Sequence, residues 1–277
     1  MDDLKTDVSG TAFVVNYSRS LKEDISKDIY AKLWVTPEAK ELWNDLSENV
    51  YPNDDLNLSL RNRFYLEHIK SFIRDNKNAV IVDVASGFDD YPFLIESENR
   101  FIEFDLPELI AFKEKKTSEW QKNNTLPKRN SQYYSTDLTS KDQREEFKKI
   151  LTNEISGNPS LIIMEGLTYY LNKEILDDLF DIYSEIQIQG SEIVFDYWRP
   201  DAMTYPVMVR LKDYVNKKFN VKQDFYLFDE NYIQSIKNYK EFESTEIASL
   251  ELMYSPTLIF QGRDNKIPVY FSVLNRD

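Results

Sequence analysis

Hydrophobic positions in the first 75 residues recur at helical spacing. Ile25, Ile29 and Leu33 form one series, and Ala39, Leu42, Trp43 and Leu46 form another. Thr36-Pro37-Glu38 reads as a helix start, a hydroxyl cap followed by proline in the first turn. A further helix is predicted over residues 60–73. From residue 79 the texture changes to short β-branched and apolar runs. Segments 79–85, 100–105, 132–136, 160–165 and 191–197 each read as a strand, and helices are predicted over 108–122 and 173–186.

Strand and helix alternate at the spacing of βαβ units. This predicts an α/β fold with a Rossmann-like, seven-stranded, mostly parallel sheet covered by helices on both faces. A helical part over 1–75 precedes the core over 76–277, and the whole is expected to form one domain. Residues 199–228 break the alternation and read as an insertion that caps the site. Two late strands, near 246–254 and 267–274, are expected to pair antiparallel at the sheet edge. In such sheets ligands bind at the carboxyl ends of the strands, near the point where strand order reverses. The polar residues ending these strands are residues 83–87, Asp105, Asp137, Glu165 and Asp196, and they should collect along one edge.

Composition narrows the chemistry. The net charge of −14 disfavours nucleic acid and anionic lipid surfaces as partners, and a small-molecule substrate is expected instead. The chain has no Cys and a single histidine, His68, which reads as a packed or surface residue of its helix. Thiol catalysis, zinc sites and a serine triad are therefore disfavoured, and no metal is expected. No apolar run is long enough to span a membrane, and the acidic opening MDDLKTDVSG is unlike a signal peptide, so a cytoplasmic location is expected. Monomer and homodimer both stay open.

Several edge residues carry candidate chemistry. Asp83-Val84-Ala85-Ser86-Gly87 is a small-residue turn that lets a ligand approach the backbone. It lacks the three glycines of a dinucleotide fingerprint, which disfavours NAD. Asp105, followed by Leu106, ends the second strand; an acceptor-only carboxylate there suits both ribose hydroxyls of an adenosine. Asp137 and Leu138 suit an adenine pocket, although a helix cap is the plainer reading of Asp137. Glu165 suits a cationic group such as an ammonium. Arg61 or Arg63 could clamp a carboxylate bidentately. Each of these residues also has an ordinary structural reading as a cap, turn or solvated face.

In this order the segments resemble the leucine carboxyl methyltransferase family, which includes protein phosphatase methyltransferases and bacterial polyketide O-methyltransferases. The carrying motifs are Ser9-Gly-Thr-Ala12 with Arg19, Thr36-Pro-Glu-Ala39, Arg61-Asn-Arg63, the glycine segment 81–93, Phe101-Ile-Glu-Phe-Asp-Leu-Pro107, Glu165-Gly-Leu-Thr-Tyr-Tyr-Leu171 and Phe195-Asp196-Tyr197. The resemblance implies S-adenosylmethionine as cofactor. It places Arg61 at the methionine carboxylate with Gly87 beneath it, Asp105 at the ribose, Asp137 and Leu138 at the adenine, and Glu165 at the ammonium group. Asp83, Ala85 and Leu106 belong to the same cofactor edge. Two departures stand out. Ala85-Ser86-Gly87 replaces the family's Gly-Ala-Gly, and Asp89-Asp90-Tyr91 replaces its Asp-Thr-Arg, so the arginine that often faces an anionic substrate is missing.

Methyl transfer from a sulfonium depends mainly on alignment and desolvation. With one histidine available, a base would have to be a carboxylate or tyrosine. The expected reaction is therefore O-methylation of an acidic oxygen on a small molecule: a phenol, an enol or a carboxylic acid. Tyr91, Tyr170 and Tyr197 are the candidate catalytic residues, and Tyr17 and Trp198 are further candidates to line the site. The rival readings are a protein C-terminal carboxyl methyltransferase and a non-catalytic S-adenosylmethionine-binding protein.

Overall fold

The computed structural model describes residues 9–219 and 224–277. The opening segment read above as unlike a leader lies mostly outside these residues, as do four residues of the 199–228 insertion.

Five parallel strands form the centre of the sheet: β1 (Val80–Val84), β2 (Arg100–Asp105), β3 (Ser131–Ser135), β4 (Ser160–Met164) and β5 (Glu192–Trp198). Two more, β6 (Tyr239–Glu246) and β7 (Val269–Arg276), complete the order β3-β2-β1-β4-β5-β7-β6, and β7 runs antiparallel to both neighbours. The chain moves outward in one direction from β1 to β3, then returns to β4 on the other side of β1. The strand order therefore reverses between β1 and β4, and in sheets of this kind ligands bind at the carboxyl ends of the strands on either side of that reversal.

Helices cover both faces. The N-terminal part consists of α1 (Ser9–Leu21), the single turn α2 (Glu23–Ser26), α3 (Pro37–Asn49) and α4 (Asp54–Asp75). The core helices are α5 (Tyr91–Leu94), α6 (Pro107–Lys122), α7 (Lys141–Ile155) and α8 (Lys173–Ile186). The later part carries α9 (Pro206–Phe219), α10 (Glu230–Gln234) and α11 (Ile247–Tyr254). Strand alternation divides the apolar side chains between two cores. Ile81, Phe101, Leu161 and Ile163 face α4 and its Leu60, Tyr65 and Ile69. Val82, Ile102, Ile162 and Phe195 face α7 and α8, where Phe147, Leu179 and Tyr183 are buried. Each fully buried side chain of this size contributes about 1.5–3 kcal/mol.

Local chemistry sets the helix limits. The Thr36 side chain accepts from the Ala39 N–H, and Asn172 does the same for Ile175, so α3 and α8 begin where polar caps satisfy free donors. Three expectations need correction. Ile25, Ile29 and Leu33 do not share a helix, because Lys27 turns left-handed at φ 58° and ends α2. The helix expected from residue 60 begins at Asp54; its first half is buried by α1 and α2 on the side away from the sheet, which obscures the apolar stripe. The strand expected over 246–254 is helix α11, and its strand partner is the preceding β6. The antiparallel edge pair itself is present, between β6 and β7.

Candidate active site

Glu165 directly follows β4 and is 7% exposed. Two arginines from the N-terminal helices converge on it. Arg19 of α1 spans Glu165 Oε1 and Asp89 Oδ1, and Arg61 Nε of α4 lies 2.9 Å from Glu165 Oε1. The Tyr91 hydroxyl donates to the other oxygen, Oε2. Burial alone would push the Glu165 carboxyl up. Arg19 and Arg61 overcome this and hold it below the ordinary carboxylate range, so the group stays ionised. Gly166 follows at φ 64°, its N–H donates to Asp196 Oδ1 at 2.7 Å, and the Arg61 guanidinium lies over its Cα. Tyr65 donates to the same Asp196 oxygen at 2.7 Å.

The turn after β1 lies at the carboxyl end of the adjoining strand. Ala85 and Gly87 both have positive φ, 61° and 45°. For alanine this costs about 1–2 kcal/mol, which a glycine would avoid. The Gly87 N–H donates to Asp105 Oδ2 and the Leu106 N–H to Asp105 Oδ1, each at 2.7 Å. The Asp105 carboxylate therefore joins the turn to the end of β2 and faces the same edge. Both carboxyl oxygens of Asp83 are buried without a hydrogen-bond partner among the described residues. Burial, with the charge of Asp89 adding to it, pushes this carboxyl well above its ordinary range.

The sequence candidates divide into groups. Arg61, Tyr91 and Glu165 meet directly; Asp83, Ala85, Gly87, Asp105 and Leu106 form the adjoining turn. Asp137 lies beyond β3, where Oδ1 accepts from the Thr139 N–H and hydroxyl and its own N–H donates to Gln143; it closes a local turn, and the cap of α7 is Ser140 instead. Leu138 beside it is buried. Tyr170 exposes 56% of its surface beside Tyr169, with ring centroids 4.8 Å apart, while Tyr169 stacks on Trp198 at 3.9 Å and its hydroxyl accepts from Arg61 Nη1 at 3.3 Å. Tyr17 packs edge-on against Trp43.

Tyr197 does not join the cluster. Asp196 turns toward α4, so its neighbour must point to the other face, and the Tyr197 ring stacks on Phe228 within the second core. Tyr91 joins the cluster but is unsuited to act as a base. Burial and the Glu165 charge push its hydroxyl well above the ordinary phenol range, which leaves it a hydrogen-bond donor. His68 pairs with Glu192 at 2.8 Å, at the amino end of β5 and away from the carboxyl ends of the strands.

Arg19 has a larger role than its sequence setting suggested. It is the one charged residue within α1, a signal that could have marked it for an inward position. Lys113 and Glu103, which form a buried ion pair beside the turn, had no such signal.

The seven-stranded order, with its reversal between β1 and β4, defines an α/β fold of the Rossmann-like class. Two solved structures share the fold: a DUF574-family protein of Streptomyces avermitilis and a candidate methyltransferase of Thermobifida fusca. The first has a TM-score of 0.66 at 12% identity and covers 96% of this chain and 97% of that one. The second has a TM-score of 0.63 at 12% identity and covers 96% and 94%. A candidate S-adenosyl-L-methionine-dependent methyltransferase of Mycobacterium marinum is 26% identical over 223 residues, 73% of this chain and 70% of that protein. A similarly named protein of Mycobacterium ulcerans is 26% identical over 207 residues, 69% and 64% of the two chains. The family model for leucine carboxyl methyltransferase matches residues 10–183, and this chain belongs to that family. It is an S-adenosylmethionine-dependent methyltransferase.

The residues present fit that cofactor. Arg19 and Arg61 pair the buried Asp89 and Glu165, whereas both Asp83 carboxyl oxygens are buried without a hydrogen-bond partner among the described residues. The ammonium of that cofactor's methionine part is a donor that such unpartnered acceptors would suit. No described helix is long and apolar enough to cross a membrane.

Proposed function

We propose that the chain methylates an acidic oxygen of a small molecule, a phenol, enol or carboxylic acid, with the donor held along the β1–β4 edge. Bound S-adenosylmethionine supplies an electrophilic methyl group on a neutral leaving group. Glu165 takes its ammonium, Arg61 its carboxylate, and Asp105 its ribose hydroxyls. Asp83 and the Ala85–Gly87 turn back the methionine part, with Asp137 and Leu138 at the adenine. Arg19 and Tyr91 keep Glu165 ionised and oriented.

The observation that carries the acidic-oxygen reading is the shortage of bases. Tyr91 is held as a donor, Tyr197 faces the other core, and His68 lies at the opposite end of the sheet. Asp54 is a candidate base near the aromatic residues. It shares a helix face with Arg61, seven residues on, and its charge, with those of Arg61 and Asp196, acts on the Tyr170 hydroxyl. Burial pushes its carboxyl up to about 6, against a hydrogen bond from Asn57 at 3.1 Å. A carboxylate of that strength accepts a proton from an acidic oxygen far better than from an aliphatic alcohol. Tyr170, the Tyr169–Trp198 stack and Phe225 supply an aromatic wall for the acceptor.

The test is methyl transfer from labelled donor to three probe sets: phenols and enols, small carboxylic acids, and a peptide ending in leucine. Transfer to a small acidic oxygen supports the reading. Transfer to the peptide alone would replace it with a protein carboxyl methyltransferase.

A further inference from the structure

Lys113 on α6 is fully buried, although lysine is a costly residue to desolvate. Its ammonium pairs with Glu103, and Nζ lies 3.3 Å from both the carbonyl oxygen and the hydroxyl of Ser86. Ser86 is the centre of the turn between Ala85 and Gly87. In the β1–β2 register Asp83 pairs with Glu103, so the two carboxylates leave the sheet on the same side. Lys113 is thus a cation close to these two acids and to Asp89, which Arg19 also pairs, directly beneath the turn.

The turn needs such support. Ala85 occupies a left-handed conformation suited to glycine, and the β1–β2 ladder ends here, with the Ser86 N–H on Phe104 O at 3.0 Å. The Ser86 carbonyl already accepts the Asp89 N–H at 2.9 Å, so Lys113 ties the same oxygen to α6. Holding Ser86 also holds the next N–H, that of Gly87, on Asp105.

We propose that Lys113 is a positioning residue for cofactor binding: through Ser86 it fixes the Ala85–Gly87 turn in its binding shape without touching the cofactor. The cofactor part rests on the donor site proposed above; the clamp on the turn does not.

Lys113→Met alone strands the Glu103 charge, so the informative variant is Lys113→Met with Glu103→Leu, which replaces the ion pair by an apolar pair. Two readouts apply: amide hydrogen exchange over residues 84–90 against residues 160–164, and titration calorimetry with S-adenosylhomocysteine. The expected result is exchange at least tenfold faster in the turn alone, with affinity at least tenfold weaker at a melting temperature near that of the parent. Unchanged protection of the turn overturns the clamp, whether or not the parent binds the ligand. Faster exchange with unchanged affinity overturns the positioning role. A parent that binds no S-adenosylhomocysteine sinks the donor-site reading, and exchange alone then judges the clamp. Glu103→Gln is the second variant and suffices if the double variant does not fold. It keeps the ammonium on Ser86, so turn protection and affinity should stay within threefold of the parent; a tenfold loss in either would show that the ion pair, and not the Ser86 contact, is what matters.

Discussion

Replacing Asp105 by asparagine separates charge from shape at the proposed ribose site. In the protein the Asp105 carboxylate accepts the Gly87 and Leu106 N–H groups, each at 2.7 Å, and the residue is only 8% exposed. An asparagine keeps one acceptor oxygen and turns an NH2 toward the other backbone donor. One N–H is then left facing a donor, which costs about 1–3 kcal/mol. In a chain of this size that lowers the melting temperature by roughly 2–4 °C per kcal/mol. The ribose hydroxyls also need acceptors, and an amide offers fewer than a carboxylate. Loss of one charge-assisted bond of about 1.5–3 kcal/mol weakens binding by roughly 10- to 150-fold. Titration calorimetry with S-adenosylhomocysteine gives the affinity, and a melting curve controls for folding. A variant that melts lower yet binds within twofold of the parent would refute the ribose assignment and leave Asp105 a structural link between the turn and β2.

Other outcomes follow from the same geometry. Arg61→Ala should weaken S-adenosylhomocysteine binding at least tenfold, about 1.4 kcal/mol; equal affinity by calorimetry would show that Arg61 serves only Glu165. Gly166→Ala would place a Cβ 3.1–3.3 Å from the Arg61 guanidinium at φ 64°. It should destabilise by about 1–3 kcal/mol and weaken cofactor binding, and an unchanged melting temperature would contradict this. Stability should rise as pH falls from about 7.5 to about 5.5. Burial pushes Asp28 and Asp54 up to about 6 from 3.8, so the folded state binds protons there that the unfolded state does not. Glu165 acts in the opposite sense, because its carboxyl is depressed, but only below its ordinary 4.5. A melting temperature that falls steadily as pH drops across that interval would contradict this.

The parallel core was legible because buried strands need apolar runs on both faces, as in β1 and β4, where every residue is buried. The edge was harder to read. β6, Tyr-Lys-Glu-Phe-Glu-Ser-Thr-Glu, is largely exposed and carries no apolar alternation to mark it. The apolar run after it was read as a strand, although Ala, Leu, Glu and Met favour helix. In α11 the buried Glu251 carboxylate instead accepts the Ile259 and Phe260 N–H groups and holds the following loop. At the site, residues that end strands could be located from sequence, since topology alone collects them. Contacts across the fold could not: Arg19 reaches Glu165 over 146 positions, and only the packing of α1 on α4 brings them together. Tyr197 was legible in principle, because a strand that turns Asp196 toward α4 must turn its neighbour away.

The β1–β4 edge is proposed to bind S-adenosylmethionine through Glu165 and its arginines. Equilibrium dialysis of the full chain with methyl-labelled S-adenosylmethionine tests this most directly, with Glu165→Ala alongside. Saturable binding of one molecule per chain is expected in the parent, with at least a tenfold loss in the variant. Absence of saturable binding in the parent, or equal affinity in both proteins, would contradict it.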